Sequence, residues 1–285
     1  MDWKEPLMDD VLLVDREGAV LTLTLNRPRA HNAINSHLAV ALTEQLQAAD
    51  RDPAVRLLLL KADGQGSFCS GVDLREGGAA AFANAEGRNA VAEIIRAMLA
   101  CRKLILAQIE GAVIGGGVGL ISACDLIYAA EDVKFSLPEV KVGLFPLVAT
   151  SLLSRQIPAR KLRELAYLAG SLTAAEAVSY GLINETAPRS DLDNVVREAI
   201  TRLLSAAPQA LIAGKRALAE IGVLGPDLAL SYAELQLGRL SAGDEAREGR
   251  AAFSEKRKPR WVQGQCLVSG DTPGESAREG QLNRP

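Results

Sequence analysis

The stretch Glu110-Gly111-Ala112-Val113-Ile114-Gly115-Gly116-Gly117-Val118-Gly119-Leu120 constrains this chain more than any other segment. It follows an apolar run, Leu104-Ile105-Leu106-Ala107-Gln108-Ile109, that reads as a buried strand, and leads into residues 120–124, which read as a buried helical turn. Three glycines in a row where a helix begins leave the main chain bare, so N–H groups without an intrahelical partner can meet a ligand closely. Such a turn suits stabilisation of an oxyanion. It equally suits tight packing of a strand against a helix. Two other glycine loops are excluded. A dinucleotide fingerprint through Gly115 and Gly117 needs glycine where Leu120 stands, and a phosphate loop begun at Gly111 needs lysine where Gly117 stands.

A chain of 285 residues has room for one large domain, or for one domain with a helical appendage. Hydrophobic residues at 48% and charged residues at 24% predict a soluble globular protein. The net charge of −3 and only 4% aromatics argue against nucleic acid as a partner. Cys69, Cys101, Cys124 and Cys266 share no C-x-x-C spacing, and only His31 and His37 could join them around a metal. Free thiols and no metal are therefore expected. The first residues are charged, unlike a signal peptide, and the longest mostly apolar run, 111–124, falls short of the ~20 residues of a membrane span. These features predict a cytoplasmic protein.

Residues 11–14 and 19–25 flank a turn signal, Arg16-Glu17-Gly18, and predict a hairpin. Leu21, Leu23 and Leu25 alternate with Val20, Thr22 and Thr24 in the period of a strand. Ser36 is a candidate N-cap for a helix whose Leu38, Leu42, Leu46 and Ala49 form one buried stripe. A third strand spans 55–60, a polar glycine-rich loop 62–80 and a helix 89–100. Residues 126–130 and 133–135 continue the β pattern, so strand–strand–helix units recur to about residue 140. From about 148 onward the pattern is helical, with a capping box at Thr173-Ala174-Ala175-Glu176 and Gly181 just past that helix. Further helices are expected at 191–205, 208–221, 226–240 and 244–256. The last stretch, 262–285, lacks periodicity and predicts a disordered tail.

In this order the pieces resemble the crotonase family of acyl-CoA enzymes, the enoyl-CoA hydratases/isomerases, over about residues 10–261. The likeness rests on Asn26-Arg27-Pro28 with Asn32-Ala33-Ile34, on Phe68-Cys69-Ser70-Gly71-Val72-Asp73-Leu74, and on Gly111 to Leu120 followed by Cys124-Asp125. It continues through Pro138-Glu139-Val140 with Gly143, then Gly181-Leu182-Ile183-Asn184, and ends with Gly249 to Trp261. The resemblance implies an α/β fold: a spiral of ββα units over 1–195, a C-terminal helical trimerisation region over 196–261 and the tail at 262–285. It also implies a homotrimer or a dimer of trimers, and coenzyme A thioester as substrate with no separate cofactor.

The same resemblance implies roles for individual residues. Main-chain N–H groups of Val72 and Gly116 would hold the thioester oxygen as it gains negative charge. Arg29 and Ala30 would lie against the nucleotide. Ser70, Asp73 and Leu74 would line the path to the thioester, with Asp73 also orienting the loop. Phe253 and Lys256 would reach the adenine and its phosphate, often across a subunit boundary. Glu139 is the acid/base candidate, beside the apolar Phe135 and Leu137 and before an apolar run that looks buried, surroundings that raise a carboxylate's pKa.

One departure bears on the chemistry. Family hydratases with two carboxylates carry a second glutamate where Gly119 stands here. Asp125 lies nearby in sequence but marks the start of the next strand. A single glutamate suits hydration of branched or carboxylated enoyl-CoAs, as in family members with the same glycine, and suits moving a double bond from the 3- to the 2-position. Pro146-Leu147-Val148-Ala149-Thr150 replaces the small glycine-rich loop of straight-chain hydratases and suggests a reshaped acyl pocket. Hydration is the first expectation, isomerisation the second, and a non-catalytic acyl-CoA-binding subunit the third.

Overall fold

Short aliphatic runs set the frame. The computed structural model describes residues 11–64, 66–76 and 88–263; the charged N-terminus, Cys266 and the tail expected to be disordered, apart from residues 262 and 263, lie outside them. β1 (Leu12–Glu17) and β2 (Val20–Leu25) form the expected antiparallel hairpin, and the leucines of β2 alternate inward as their period requires.

After the hairpin the chain repeats one manoeuvre. β3 (Leu57–Ala62), β5 (Leu104–Ile109) and β7 (Leu126–Ala130) enter one parallel sheet. Each is followed within a few residues by a short strand of a second sheet: β4 (Ser67–Cys69), β6 (Ala112–Ile114) and β8 (Lys134–Ser136). A helix then closes each turn: α2 (Ala90–Ala100), α3 (Gly116–Ile121) and α4 (Leu147–Leu153). The order β1-β2-β3-β5-β7 in one sheet and β4-β6-β8 in the other is a spiral of ββα units read strand by strand. Five of six residues of β5 are buried, as expected of a parallel strand covered on both faces.

Three details depart from the sequence reading. β4 lies, fully buried, within the stretch 62–80 expected to be a polar loop, because it pairs with β6. Asn35, not Ser36, caps α1 (Ser36–Arg51): its side chain accepts from the Leu38 N–H, and Ser36 is the first helical residue. The buried stripe Leu38, Leu42, Leu46 and Ala49 is as expected. The chain beyond 148 is also not purely helical. After α5 (Ala159–Tyr167), β9 (Ser171–Thr173) pairs with β8 and β10 (Glu185–Ala187) pairs with β7, so each closes one edge of a sheet. Between them the capping box at Thr173 and Glu176 starts α6 (Ala174–Ser179).

The remaining helices are α7 (Leu192–Ser205), α8 (Pro208–Ile221), α9 (Pro226–Ala242), α10 (Asp244–Ser254) and α11 (Arg260–Gln263). α8 is tied to the spiral by Lys215, whose Nζ lies 2.8 Å from the Asp125 carboxylate and donates to the Lys103 carbonyl. Asp125 in turn accepts from the Ile105 N–H, so it works at the junction of β5 and β7. Neither α8 nor α9 has a buried residue, and Leu218, Leu228, Leu230, Leu235 and Leu237 are exposed on them.

Candidate active site

Two segments far apart in sequence meet beside α3. Residues 27–36 run alongside residues 70–76: the Ser70 N–H donates to the His31 carbonyl (3.1 Å), Ile34 N–H to Gly71 (2.7 Å) and Asp73 N–H to Ile34 (2.9 Å). This is a parallel bridge between Ile34 and Val72. In such a bridge the flanking residues make the bonds, so the N–H of Val72 itself faces the opposite side. Gly71 permits the bend with φ +88°, a backbone that side chains avoid.

On that opposite side stands the start of α3. A methyl on Gly71 would lie 3.0 Å from the Gly116 nitrogen, and one on Gly116 would lie 3.6 Å from the Val72 nitrogen. Gly116 is the first residue of α3, where an N–H has no intrahelical acceptor. Among the described residues, neither the Val72 nor the Gly116 N–H finds a backbone acceptor, while Gly115 N–H bonds the Ser136 carbonyl and Val118 N–H bonds that of Gly115. Two donors without a backbone acceptor therefore lie close together.

Glu139 opens a short helical turn, Glu139–Val142, just after β8. It reaches back over the glycine turn: a methyl on Gly115 would sit 2.8 Å from its Oε1. Its Oε2 is buried without a hydrogen-bond partner among the described residues. Burial pushes its carboxyl above the ordinary range, the direction that makes a carboxylate a better base. Gly119 packs tightly against α4: a methyl there would lie 3.2 Å from the Cα of Ala149, so α4 would have to give by a few tenths of an ångström. A longer side chain could stand there only if α4 moved.

The other sequence candidates divide. Arg29, Ala30, Ser70 and Leu74 lie on the two paired segments, with Arg29 and Leu74 exposed. Asp73 is on the same loop, but its carboxylate is buried and held by Arg75 (2.8 Å) and Arg27 (2.9 Å). Those contacts, Arg75 foremost, keep it well below the usual carboxylate range and give it a loop-holding place. Phe253 is 89% exposed at the end of α10, and Lys256 follows it with φ +53°. No described contact brings either to the glycine turn.

Arg27 and Asn32 entered the sequence reading only as motif letters. Asn32 is wholly buried: its Oδ1 accepts from the Arg27 N–H, and its Nδ2 donates to the Asp63 and Ser67 carbonyls. Cys69 and Cys101 are buried, Cys124 partly so, and all three are free; burial pushes the Cys69 thiol up to about 12. No cluster of three metal-ligating side chains occurs among the described residues. A cavity of about 470 Å³ between α1, the starts of β3 and β5, and α8 contains none of these site residues.

A family model described as enoyl-CoA hydratase/isomerase matches residues 15–264. The chain belongs to that family. It is therefore an enzyme of the enoyl-CoA hydratase/isomerase family, with the crotonase fold. It is 34% identical to the (E)-benzylidenesuccinyl-CoA hydratase of Thauera aromatica, covering 84% of this chain and 94% of that one. It is 30% identical to the crotonyl-CoA hydratase of Syntrophomonas wolfei subsp. wolfei, covering 88% and 97%. Among solved structures, Pseudomonas aeruginosa AtuE superposes with a TM-score of 0.82 at 33% identity, covering 89% of this chain and 100% of that one.

Proposed function

We propose that this enzyme adds water across the 2,3 double bond of an enoyl-CoA thioester, with Glu139 as its only acid/base. One observation carries the reading. Among the described residues the N–H groups of Val72 and Gly116 lie close together without a backbone acceptor, and the partnerless Oε2 of Glu139 belongs to the carboxyl that overhangs the adjoining Gly115. The thioester oxygen accepts from both amides. Glu139 takes a proton from water, the resulting hydroxide bonds carbon 3, and the electron pair of the double bond moves onto the thioester as an enolate. The protonated Glu139 then delivers its proton to carbon 2. One well-placed donor of this kind is worth about 3 kcal/mol in the transition state.

The relatives named as hydratases support the reaction class, and the one named for benzylidenesuccinyl-CoA supports a branched or carboxylated acyl group. The tightly packed glycine at position 119 supports a single-carboxylate mechanism, and the same observation favours a second reading, 3-enoyl-CoA to 2-enoyl-CoA isomerisation. Purified protein given straight, branched and carboxylated 2-enoyl-CoAs separates these. Formation of a 3-hydroxyacyl-CoA supports hydration. Migration of the double bond in 3-enoyl-CoAs without hydroxy product supports isomerisation. Binding of every thioester with turnover of none leaves an acyl-CoA-binding subunit.

The same reading places Arg29, Ala30, Ser70 and Leu74 along the CoA moiety, with no cofactor beyond that substrate. Phe253 and Lys256 serve a neighbouring subunit. The exposed leucines of α8 and α9 support a homotrimer, and the free thiols fit the cytoplasm.

A further inference from the structure

We propose that Arg27 is a positioning residue for this reaction, aiming the Val72 N–H by clamping Asp73 to the segment 27–36. The inference rests on the reading of Val72 and Gly116 as the oxyanion donors. The Val72 N–H belongs to the peptide whose carbonyl is that of Gly71, and that carbonyl accepts from Ile34 at 2.7 Å. Turning this peptide would break that bond, so whatever fixes the loop against segment 27–36 fixes the direction of the N–H. Gly71, at φ +88°, supplies no stiffness of its own.

Arg27 supplies it from a place the loop cannot carry along. One guanidinium nitrogen donates to the Ala33 carbonyl and another to the Asp73 carboxylate at 2.9 Å, while its own N–H is held by Asn32. The side chains of Arg27 and Asp73 are 13% and 5% exposed, so the pair is shielded from solvent and keeps its geometry. Arg75 also binds Asp73, but it is two residues away on the same loop and 65% exposed. It neutralises Asp73 and moves with it. Arg75 therefore partners the charge, and Arg27 fixes its place.

The test compares Arg27→Met, Arg27→Lys and Arg75→Ala in the full chain. Each is read by kcat and KM on the best enoyl-CoA and by the carbonyl stretch of the bound unsaturated thioester in Raman difference spectra. Arg27→Met is expected to lower kcat about 10²-fold, the scale of losing one donor, with KM little changed and the carbonyl red shift diminished. Arg27→Lys restores part of both, since it keeps the charge without the two-pronged reach. Arg75→Ala stays near the parent. An Arg27→Met protein with the full carbonyl shift overturns the proposal, as does Arg75→Ala matching its loss. If Arg27→Met does not fold, Arg27→Lys decides: parental rate and shift overturn the proposal, and reduced values of both support it. A parent protein that binds the thioester without shifting its carbonyl fails the oxyanion reading itself, and that failure shows before any substitution.

Discussion

Replacing Glu139 by glutamine should separate catalysis from stability. General acid–base groups contribute about 10²–10⁴-fold in rate. Among the described residues Glu139 is the carboxylate that reaches the glycine turn, and under the proposed mechanism it both activates water and protonates carbon 2. The loss should therefore lie at the upper end, about 10⁴-fold in kcat, or about 5 kcal/mol at 1.36 kcal/mol per decade. Stability should move the other way. Burial raises this carboxyl's pKa in the folded chain, so the protonated form is the one the fold favours. Its favourable contribution is complete below the unfolded pKa of about 4.3 and is lost as pH rises through the folded value. Glutamine is neutral throughout, so Glu139→Gln should melt at or above the parent at about pH 8, with the difference closing toward pH 4. Steady-state kinetics, thermal melts at both pH values and titration with a saturated acyl-CoA make the assay. A variant keeping a tenth of parental kcat, or melting well below the parent at pH 8, would refute the reasoning.

Three further outcomes follow from the same geometry. Gly119→Glu should lower stability by about 1–3 kcal/mol, because its Cβ meets the Cα of Ala149 at 3.2 Å, and should not raise hydration of straight-chain substrates; melts and rates check both. Asp73→Asn should lower the melting temperature at neutral pH. The folded carboxyl is depressed by Arg75 and then Arg27, so the stability it confers is present above about pH 4 and lost as pH falls, and the gap to the parent should shrink below that. If the proposed trimer forms through α9, Leu230→Asp with Leu237→Asp, two exposed positions on that helix, should convert it to smaller species in light scattering while leaving the far-ultraviolet spectrum unchanged.

The sequence reading located most of this architecture because most of it is locally encoded. Residues 104–109 and 126–130 are strands and 208–221 a helix with the expected bounds, since long aliphatic runs and a leading proline leave little choice. β9 and β10 escaped notice for a physical reason. Three residues cannot show a period, and each is a strand only because a partner lies beside it, Glu185 opposite Tyr128 and Phe135 opposite Leu172. Ser36 and Asn35 are both good caps. The bridge that holds Ile34 to Val72 leaves Asn35 extended, with φ −98° and ψ 176°, and so selects it.

Of the candidate site, only the locally encoded part is legible in the sequence. Glycines at a strand-to-helix turn can be read from the letters, but the apolar run after Glu139, expected from the letters to be buried, is exposed at Val142, Leu144 and Phe145, so Glu139 owes its burial to the glycine turn it overhangs. The clamp between Arg27 and Asp73 spans 46 residues, and Ala149 meets Gly119 across two helices, so neither leaves a local trace. Phe253, 89% exposed in the single chain, meets no described part of the glycine turn.

A crystal structure with a saturated, unreactive acyl-CoA tests the central claim most directly. The thioester oxygen should lie about 2.7–3.1 Å from both the Val72 and the Gly116 nitrogens, with a Glu139 oxygen beside carbons 2 and 3. A thioester bound with its oxygen away from either amide, or with Glu139 turned from the acyl chain, would contradict it.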